Sequence, residues 1–506
     1  MVFLMLSKFI GPEKSSEQKS LLTQKKLEAF LWKSADILRG SIDSSEYKHY
    51  IFGLLFLKRL SDQFEEEQMK IDDDPEDPDN YRFFVPPHAR WKYIRKFAEG
   101  IGNKIDKAFE MLEEANPSKL ENVLTPIQFE DPRKLTDATL QKLLRHFSQK
   151  EYHLADSNLS EPDILGRAYE YLIKQFADDS GKKGGEFYTP QGVVQLLVRI
   201  LQPEEGMRIC DPACGSGGML IECRNYLKEQ GQNYENLMLF GEEKNLNTWS
   251  IAKMNLLLHN VFDSQIKRGD TMLEPILEDG HLMLFDMVIA NPMWNQKEWH
   301  REMFEKGDTH GRVKYGIPPK SSGDWMWIQH MLATLNENGR MGVVLDNGAL
   351  FRGGAEGKIR RKMIEADFIE GIIALPANLF YNTSSPGCLI IINKNKKPEF
   401  KNNIFFIHAE NEYEEGKAQN FLKWIHINRI TDVFRVREIR QKFSALIELK
   451  EIKENDYNLN VSRYIDIIPD DELIDLNSII ENIEDIRVER IEQEREFERN
   501  IKDIGL

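Results

Sequence analysis

Arg208-Ile209-Cys210-Asp211-Pro212-Ala213-Cys214-Gly215-Ser216-Gly217-Gly218-Met219-Leu220 reads as a short apolar strand, a glycine cluster and the start of an apolar helix. Glycine at a strand-to-helix turn lets the backbone approach a ligand closely. A dinucleotide loop of the form G-x-G-x-x-G ends on glycine or alanine, but counted from Gly215 that position is Leu220. A Walker A sequence is also missing, so the expected cofactor is a nucleoside without a polyphosphate. S-adenosylmethionine fits, with Asp211, Gly215, Ser216, Gly217 and Gly218 as candidate contacts.

Outward from this loop, apolar runs at Met207 to Cys210, Met283 to Ala290, Met341 to Leu345 and Cys388 to Ile392 alternate with helical segments. That alternation predicts a mostly parallel, Rossmann-like α/β sheet over 156–400. From Leu21 to about Leu154 the periodicity is helical, punctuated at Gly40 and Gly53, which predicts an all-α domain over 1–155. Glu65 to Asp79 reads as a solvated acidic loop without EF-hand spacing. Residues 401–506 are expected to form a charged extension. Its segment Asp470 to Ile504 carries Ile479, Ile483, Ile486 and Ile491 at roughly helical intervals, as an exposed helical tail that either packs on its own domain or docks a partner.

Composition narrows the function classes. The 506 residues are 41% hydrophobic and 30% charged, an ordinary globular balance. Ile51 to Leu57 is too short to span a membrane, and Met1 to Ile10 lacks the flanks of a signal peptide, so the expected location is the cytoplasm. Cys210, Cys214, Cys223 and Cys388 have neither C-x-x-C spacing nor histidines at ligand intervals, so no metal site is expected. A net charge of -16 is awkward for a lone DNA binder, because phosphate neutralisation supplies most non-specific affinity. If nucleic acid is the substrate, a partner is expected to grip it.

Three segments complete the cofactor site. Glu243, after the next apolar run, can bond a ribose diol, and Asp270 can accept from an adenine amine. Upstream, Glu186-Phe187-Tyr188-Thr189-Pro190-Gln191 reads as a helix start, with Thr189 as N-cap and Pro190 as the first helical residue; free amides there suit a carboxylate. Downstream, the apolar run 285–290 ends in Asn291-Pro292-Met293-Trp294. The Asn291 side-chain carbonyl and the Pro292 backbone carbonyl can accept both hydrogens of an exocyclic amine, which aims its weakly nucleophilic nitrogen. Trp294 offers a face to a base drawn from its duplex, at about 1 to 3 kcal/mol per stacked base.

These segments, together with 30–40, 163–172, Leu379-Phe380-Tyr381-Asn382-Thr383 and Tyr457-Asn458-Leu459-Asn460, resemble the modification subunit of type I restriction-modification systems, a family of N6-adenine DNA methyltransferases. The resemblance implies that Glu186 to Gln191, Ser216 to Gly218 and Glu243 bind S-adenosylmethionine and that Asn291 to Trp294 hold a flipped adenine. It also implies a separate specificity subunit that reads double-stranded DNA, commonly with two methyltransferase subunits, and a motor nuclease (restriction) subunit. One position departs from the family pattern. Met293 stands where a second proline is usual, so the loop loses a fixed φ and keeps an N–H. Two rival expectations are a protein-glutamine N5-methyltransferase and a cofactor-binding scaffold impaired by Met293.

Overall fold

The computed structural model describes residues 21–39, 42, 44–131, 133–180, 188–381, 383–417, 419–466 and the scattered positions 483–484, 486–487, 490–491 and 493–494. Its strands are β1 Arg208–Asp211, β2 Met238–Glu243, β3 Gln265–Arg268, β4 Leu277–Glu278, β5 His281–Leu282, β6 Phe285–Ala290, β7 Leu335–Asp346, β8 Ile369–Ala374, β9 Gly387–Asn393, β10 Asn403–His408 and β11 Ser444–Glu448. β4 and β5 pair with each other; the other nine form one sheet in the order β11-β10-β8-β9-β7-β6-β1-β2-β3. Neighbours run parallel except at β9, reversed between β7 and β8, and at β11 on the edge.

Side chains alternate between the two faces of a strand, so each strand feeds two cores. Ile209, Leu239 and Ile289 point into one hydrophobic cluster, and Cys210, Phe240 and Val288 point into the other. Helices Gln191–Leu201, Gly218–Glu229, Leu246–Leu258 and Trp424–Val436 cover the first face; Asp324–Ala333 and Gly354–Glu365 cover the second. The predicted mostly parallel sheet is therefore present, and it runs past residue 400 through β10 and β11.

The N-terminal helices form because their apolar residues recur at turn spacing. Helix Gln24–Leu38 buries Leu27, Phe30, Leu31, Ala35 and Leu38 along one stripe, and Asp137–Phe147 buries Leu140, Leu143, Leu144 and Phe147. Helix Asp137–Phe147 begins at Thr136, whose hydroxyl accepts from Thr139 N at 3.3 Å. Helix Ser44–Gln68 packs on Ile164–Ser180 through Phe52 and Tyr169, with ring centroids 4.1 Å apart. The N-terminal helices and the first sheet face share one hydrophobic cluster, which includes both Leu27 and Leu239.

Two local expectations fail. Gly53 lies inside helix Ser44–Gln68 and does not interrupt it; a methyl there would meet the Phe109 ring at 3.1 Å, so glycine serves close packing. The same helix continues through Gln68, so the acidic loop starts after it and not at Glu65. Gly40 and nearly all of the tail from Asp470 to Ile504 lie outside the described residues. Among the described residues no helix is long and apolar enough to cross a membrane.

Candidate active site

The chain places β2 and β3 on one side of β1 and then crosses over to place β6 on the other. That reversal opens a crevice beyond the carboxyl ends of β1 and β6, where α/β sheets bind ligands. Asp211 ends β1, and Asn291 follows the last residue of β6.

The glycine loop after Asp211 is held from several sides. Gly215 and Gly217 adopt φ of 53° and 80°, which other residues rarely reach. Gly217 N donates to Cys214 O at 2.8 Å, and Cys214 N donates to Glu242 O at 3.0 Å. From helix Leu246–Leu258, Asn255 Nδ2 donates to Ser216 O at 2.9 Å. On β2, a Cβ at Gly241 would meet Ile266 Cδ1 at 2.9 Å and Cys214 Sγ at 3.1 Å, so only glycine lets the loop lie this low.

Glu243 closes the loop from β2. Its Oε2 accepts from Gly215 N at 3.2 Å and its Oε1 from Asn245 N at 2.7 Å. Burial raises the Glu243 carboxyl above its ordinary value, although these amides pull it down. Asp270, just after β3, accepts from Met272 N at 3.0 Å, Lys244 Nζ at 2.8 Å and His300 Nε2 at 2.9 Å. Burial acts to raise Asp270, and the Lys244 and His300 bonds more than offset it, leaving an ionised carboxylate below its usual value.

A cleft of about 540 Å³ lies against this loop. Of the predicted residues, Tyr188, Thr189, Asp211, Gly215, Ser216, Gly218 and Asn291 line it. Gln191 lines an adjoining cavity of about 780 Å³ that shares Tyr188, Thr189 and Gly218. Pro190, Gly217, Glu243, Asp270, Pro292, Met293 and Trp294 line neither cavity, and Glu186 and Phe187 lie outside the described residues. Burial pushes Asp211 up to about 8, the Glu243 charge adding to this against the Ala213 amide.

The expected cap at Thr189 is corrected. The helix starts at Gln191 with Pro190 as its N-cap residue, and Thr189 makes no cap bond. Its hydroxyl instead accepts from Asn291 Nδ2 at 2.9 Å, joining residues 102 positions apart. Proline fixes φ but carries no N–H, so Thr189 stays extended and free to reach across the cleft.

Asn291 is gripped at both ends of its amide. While Nδ2 donates to Thr189, Oδ1 accepts from Trp294 Nε1 at 2.9 Å. That indole N–H also reaches Val344 O at 3.1 Å on β7, and the ring packs edge-on to Phe380 at 4.6 Å. Met293 is 59% exposed, so its side chain packs little and its influence runs through the backbone. Asn295, at φ 54°, donates its N–H to Asp324 Oδ1 at 2.8 Å. Fully buried Asp324 is in turn paired with Arg352, which also holds Asp346 at 3.0 Å and Glu356 at 2.7 Å. This network fixes the far end of the loop that begins at Asn291.

Sequence reasoning missed Glu170, Ile173, Val194 and Met219, which also line the cleft. Only Glu170 carried a usable signal, an acid one turn before Ile173 in a helix whose buried stripe includes Tyr169 and Leu172.

A sheet of this order, with a glycine loop at its switch point and Asn-Pro on the adjoining strand end, defines the amine-directed methyltransferases. The profile of the N-6 DNA methylase family matches residues 160–472, and that of the HsdM N-terminal domain matches 27–147. The type I restriction enzyme MjaIX methylase subunit of Methanocaldococcus jannaschii is 32% identical, covering 94% of this chain and 90% of that protein. The HindI methylase subunit of Haemophilus influenzae is 31% identical over 83% of this chain and 98% of its own. The crystal structure of a type I restriction-modification methyltransferase subunit from Streptococcus thermophilus superposes with a TM-score of 0.77 at 32% identity, covering 88% of this chain and all of that one, 100%. The chain belongs to the N-6 DNA methylase family, among the methylase subunits of type I restriction enzymes.

Proposed function

We propose that this chain methylates N6 of adenine in double-stranded DNA, with S-adenosylmethionine held in the cleft between the glycine loop, Thr189 and Asn291. The observation that carries the reading is the double grip on the Asn291 amide. Thr189 and Trp294 fix the plane of that amide at the wall of the same cleft that the glycine loop lines.

The residues present fit the cofactor. Bare glycine backbone admits an adenosyl group, and Asp211 and Glu170 line the cleft with no lysine, arginine or histidine among its described lining residues, which suits a ligand carrying positive charge. S-adenosylmethionine supplies an electrophilic methyl group when bound. Glu243 and Asp270 would hold its ribose and adenine, with Tyr188, Thr189 and Gly215 to Gly218 along its length. The proposed set also includes Glu186, Phe187, Pro190, Gln191 and Asp211.

Asn291 Oδ1 keeps one lone pair beyond its bond to Trp294, and Pro292 O is the second acceptor. Together they accept hydrogen bonds from both N–H groups of the adenine amine and turn its nitrogen toward the cleft. Well-held reactants account for about 7 to 11 kcal/mol of such a barrier, so positioning supplies most of the catalysis. Trp294 and Phe380 form an aromatic corner beside Asn291 for the flipped base.

The net charge of -16 supports delegated DNA binding. The partners we propose are a specificity subunit, shared by two copies of this chain, and a motor nuclease subunit, all in the cytoplasm. Sequencing of modified bases from cells carrying wild type or Asn291→Ala tests the reading. Adenine methylation should vanish at defined sites in the variant while the purified chain still binds cofactor. Persisting methylation would overturn the assignment.

A further inference from the structure

Helix Ile164–Ser180 places Glu170 against the cleft beside Thr189, Ser216 and Gly218. Among the described residues no hydrogen-bond donor reaches its carboxyl, which is 26% exposed. Among the described residues the nearest group able to carry a positive charge is His259, with Nε2 3.9 Å away. Burial holds His259 down to about 4, so it is neutral near pH 7 and gives Glu170 no counter-charge. Ile173 and Val194, which share the cleft lining, offer none either.

We propose that Glu170 is the counter-ion of the ammonium group at the amino-acid end of the cofactor. This rests on the S-adenosylmethionine reading above. Glu243 secures Gly215 from the β2 side of the loop, where a ribose is expected, and Glu170, on helix Ile164–Ser180, lines the cleft together with Ser216 and Gly218. A cofactor with its ribose at Glu243 therefore brings its other end to Glu170.

The empty-handed carboxyl carries a proton over much of the neutral range, because burial pushes Glu170 up to about 7. Contact with an ammonium would ionise it, the carboxyl proton passing to solvent as the N–H···O pair forms. Among the described residues the charged groups around it leave this step to the ligand, Asp211 in the same cleft being itself raised to about 8 by burial. Gln24 bonds Glu28 on the first helix, Arg167 pairs with Glu161, Lys174 lies over the Phe421 ring, Arg199 pairs with Glu229, and Glu222 is itself raised to about 8 by burial.

Isothermal titration of the full-length chain with three probes tests this: S-adenosylmethionine, S-adenosylhomocysteine, and 5′-methylthioadenosine, which lacks the amino-acid end. Glu170→Gln should weaken the first two about tenfold or more and leave the third unchanged, its binding also reporting an intact cleft. At pH 6, paired buffers of different ionisation enthalpy should show close to one proton fewer released per S-adenosylmethionine in the variant. Glu222→Gln, which lines only the adjoining cavity, should match wild type. Equal weakening of all three probes, no weakening, or the same loss in Glu222→Gln overturns the Glu170 assignment. A wild-type chain that binds none of the probes overturns the cofactor reading itself.

Discussion

Trp294→Phe isolates the indole N–H from the aromatic face. In the native site that N–H is shared between Asn291 Oδ1 at 2.9 Å and Val344 O at 3.1 Å, and the ring packs on Phe380. Phenylalanine keeps a flat ring and deletes the donor, so Asn291 loses one of the two bonds that set its amide plane. A neutral hydrogen bond contributes about 0.5 to 1.5 kcal/mol net. Expressed in the barrier, that lowers the methyl-transfer rate about 2- to 13-fold. Trp294→Ala also removes the stacking surface, a further ~1 to 3 kcal/mol and roughly 5- to 150-fold. The measurement is single-turnover methylation by the assembled complex at saturating cofactor, on a duplex carrying a site mapped by sequencing. A Trp294→Phe enzyme that transfers at or above the wild-type rate would show that Asn291 needs no indole to aim it.

Met293→Pro should stabilise the chain by about 0.4 to 1 kcal/mol in denaturant unfolding, since Met293 is not among the positive-φ residues and proline lowers the freedom of the unfolded chain; a destabilised variant counts against the backbone at that position accepting proline. Gly241→Ala forces a methyl onto Ile266 and Cys214 under the glycine loop, and overpacking of about 1 to 3 kcal/mol should appear as weaker cofactor binding by calorimetry. Unchanged affinity would mean that the loop yields elsewhere. Asp211→Asn should change the pH dependence of stability. With Asp211 raised from 3.8 to about 8, the native chain holds that proton more tightly than the unfolded chain, so the acid's destabilising effect is absent below about pH 4 and grows as pH rises toward 8. Asparagine still accepts from Ala213 but does not titrate. The melting temperature of the variant relative to wild type should therefore climb from pH 5 to pH 8, and parallel curves would contradict the burial of Asp211.

What was legible in the chain was local. Strands buried on both faces are continuous apolar runs whichever way they run, so Phe285 to Ala290 and Gly387 to Asn393 announce themselves, and a glycine loop between strand and helix marks the crevice. Strand order is set by long-range pairing and is invisible in any one segment. β10 and β11 were assigned to an extension because lysines flank the first and the second is a half-exposed edge. Gly53 was misread because glycine marks breaks and close approaches alike, and only the position of Phe109 decides between them. The Thr189 to Asn291 bond needed both strand ends in place, so the local Thr-Pro pattern suggested a cap instead.

Glu170 shows why the helical part belongs to the chemistry of the sheet. Its helix is clamped between Phe52 of the N-terminal helices, against Tyr169, and the end of helix Leu246–Leu258, where a Cβ at Gly166 would meet the His259 ring at 2.5 Å. Tyr169 also donates its hydroxyl to Ile251 O at 3.3 Å. These contacts set how far the Glu170 carboxyl projects toward the glycine loop. The cleft wall is therefore built from both parts of the chain: the α/β sheet supplies the loop and Asn291, and N-terminal packing supplies the position of the acid opposite them. In the function we propose, a chain of net charge -16 leaves the grip on DNA to a partner subunit, while Glu170 answers the positive charge of the cofactor.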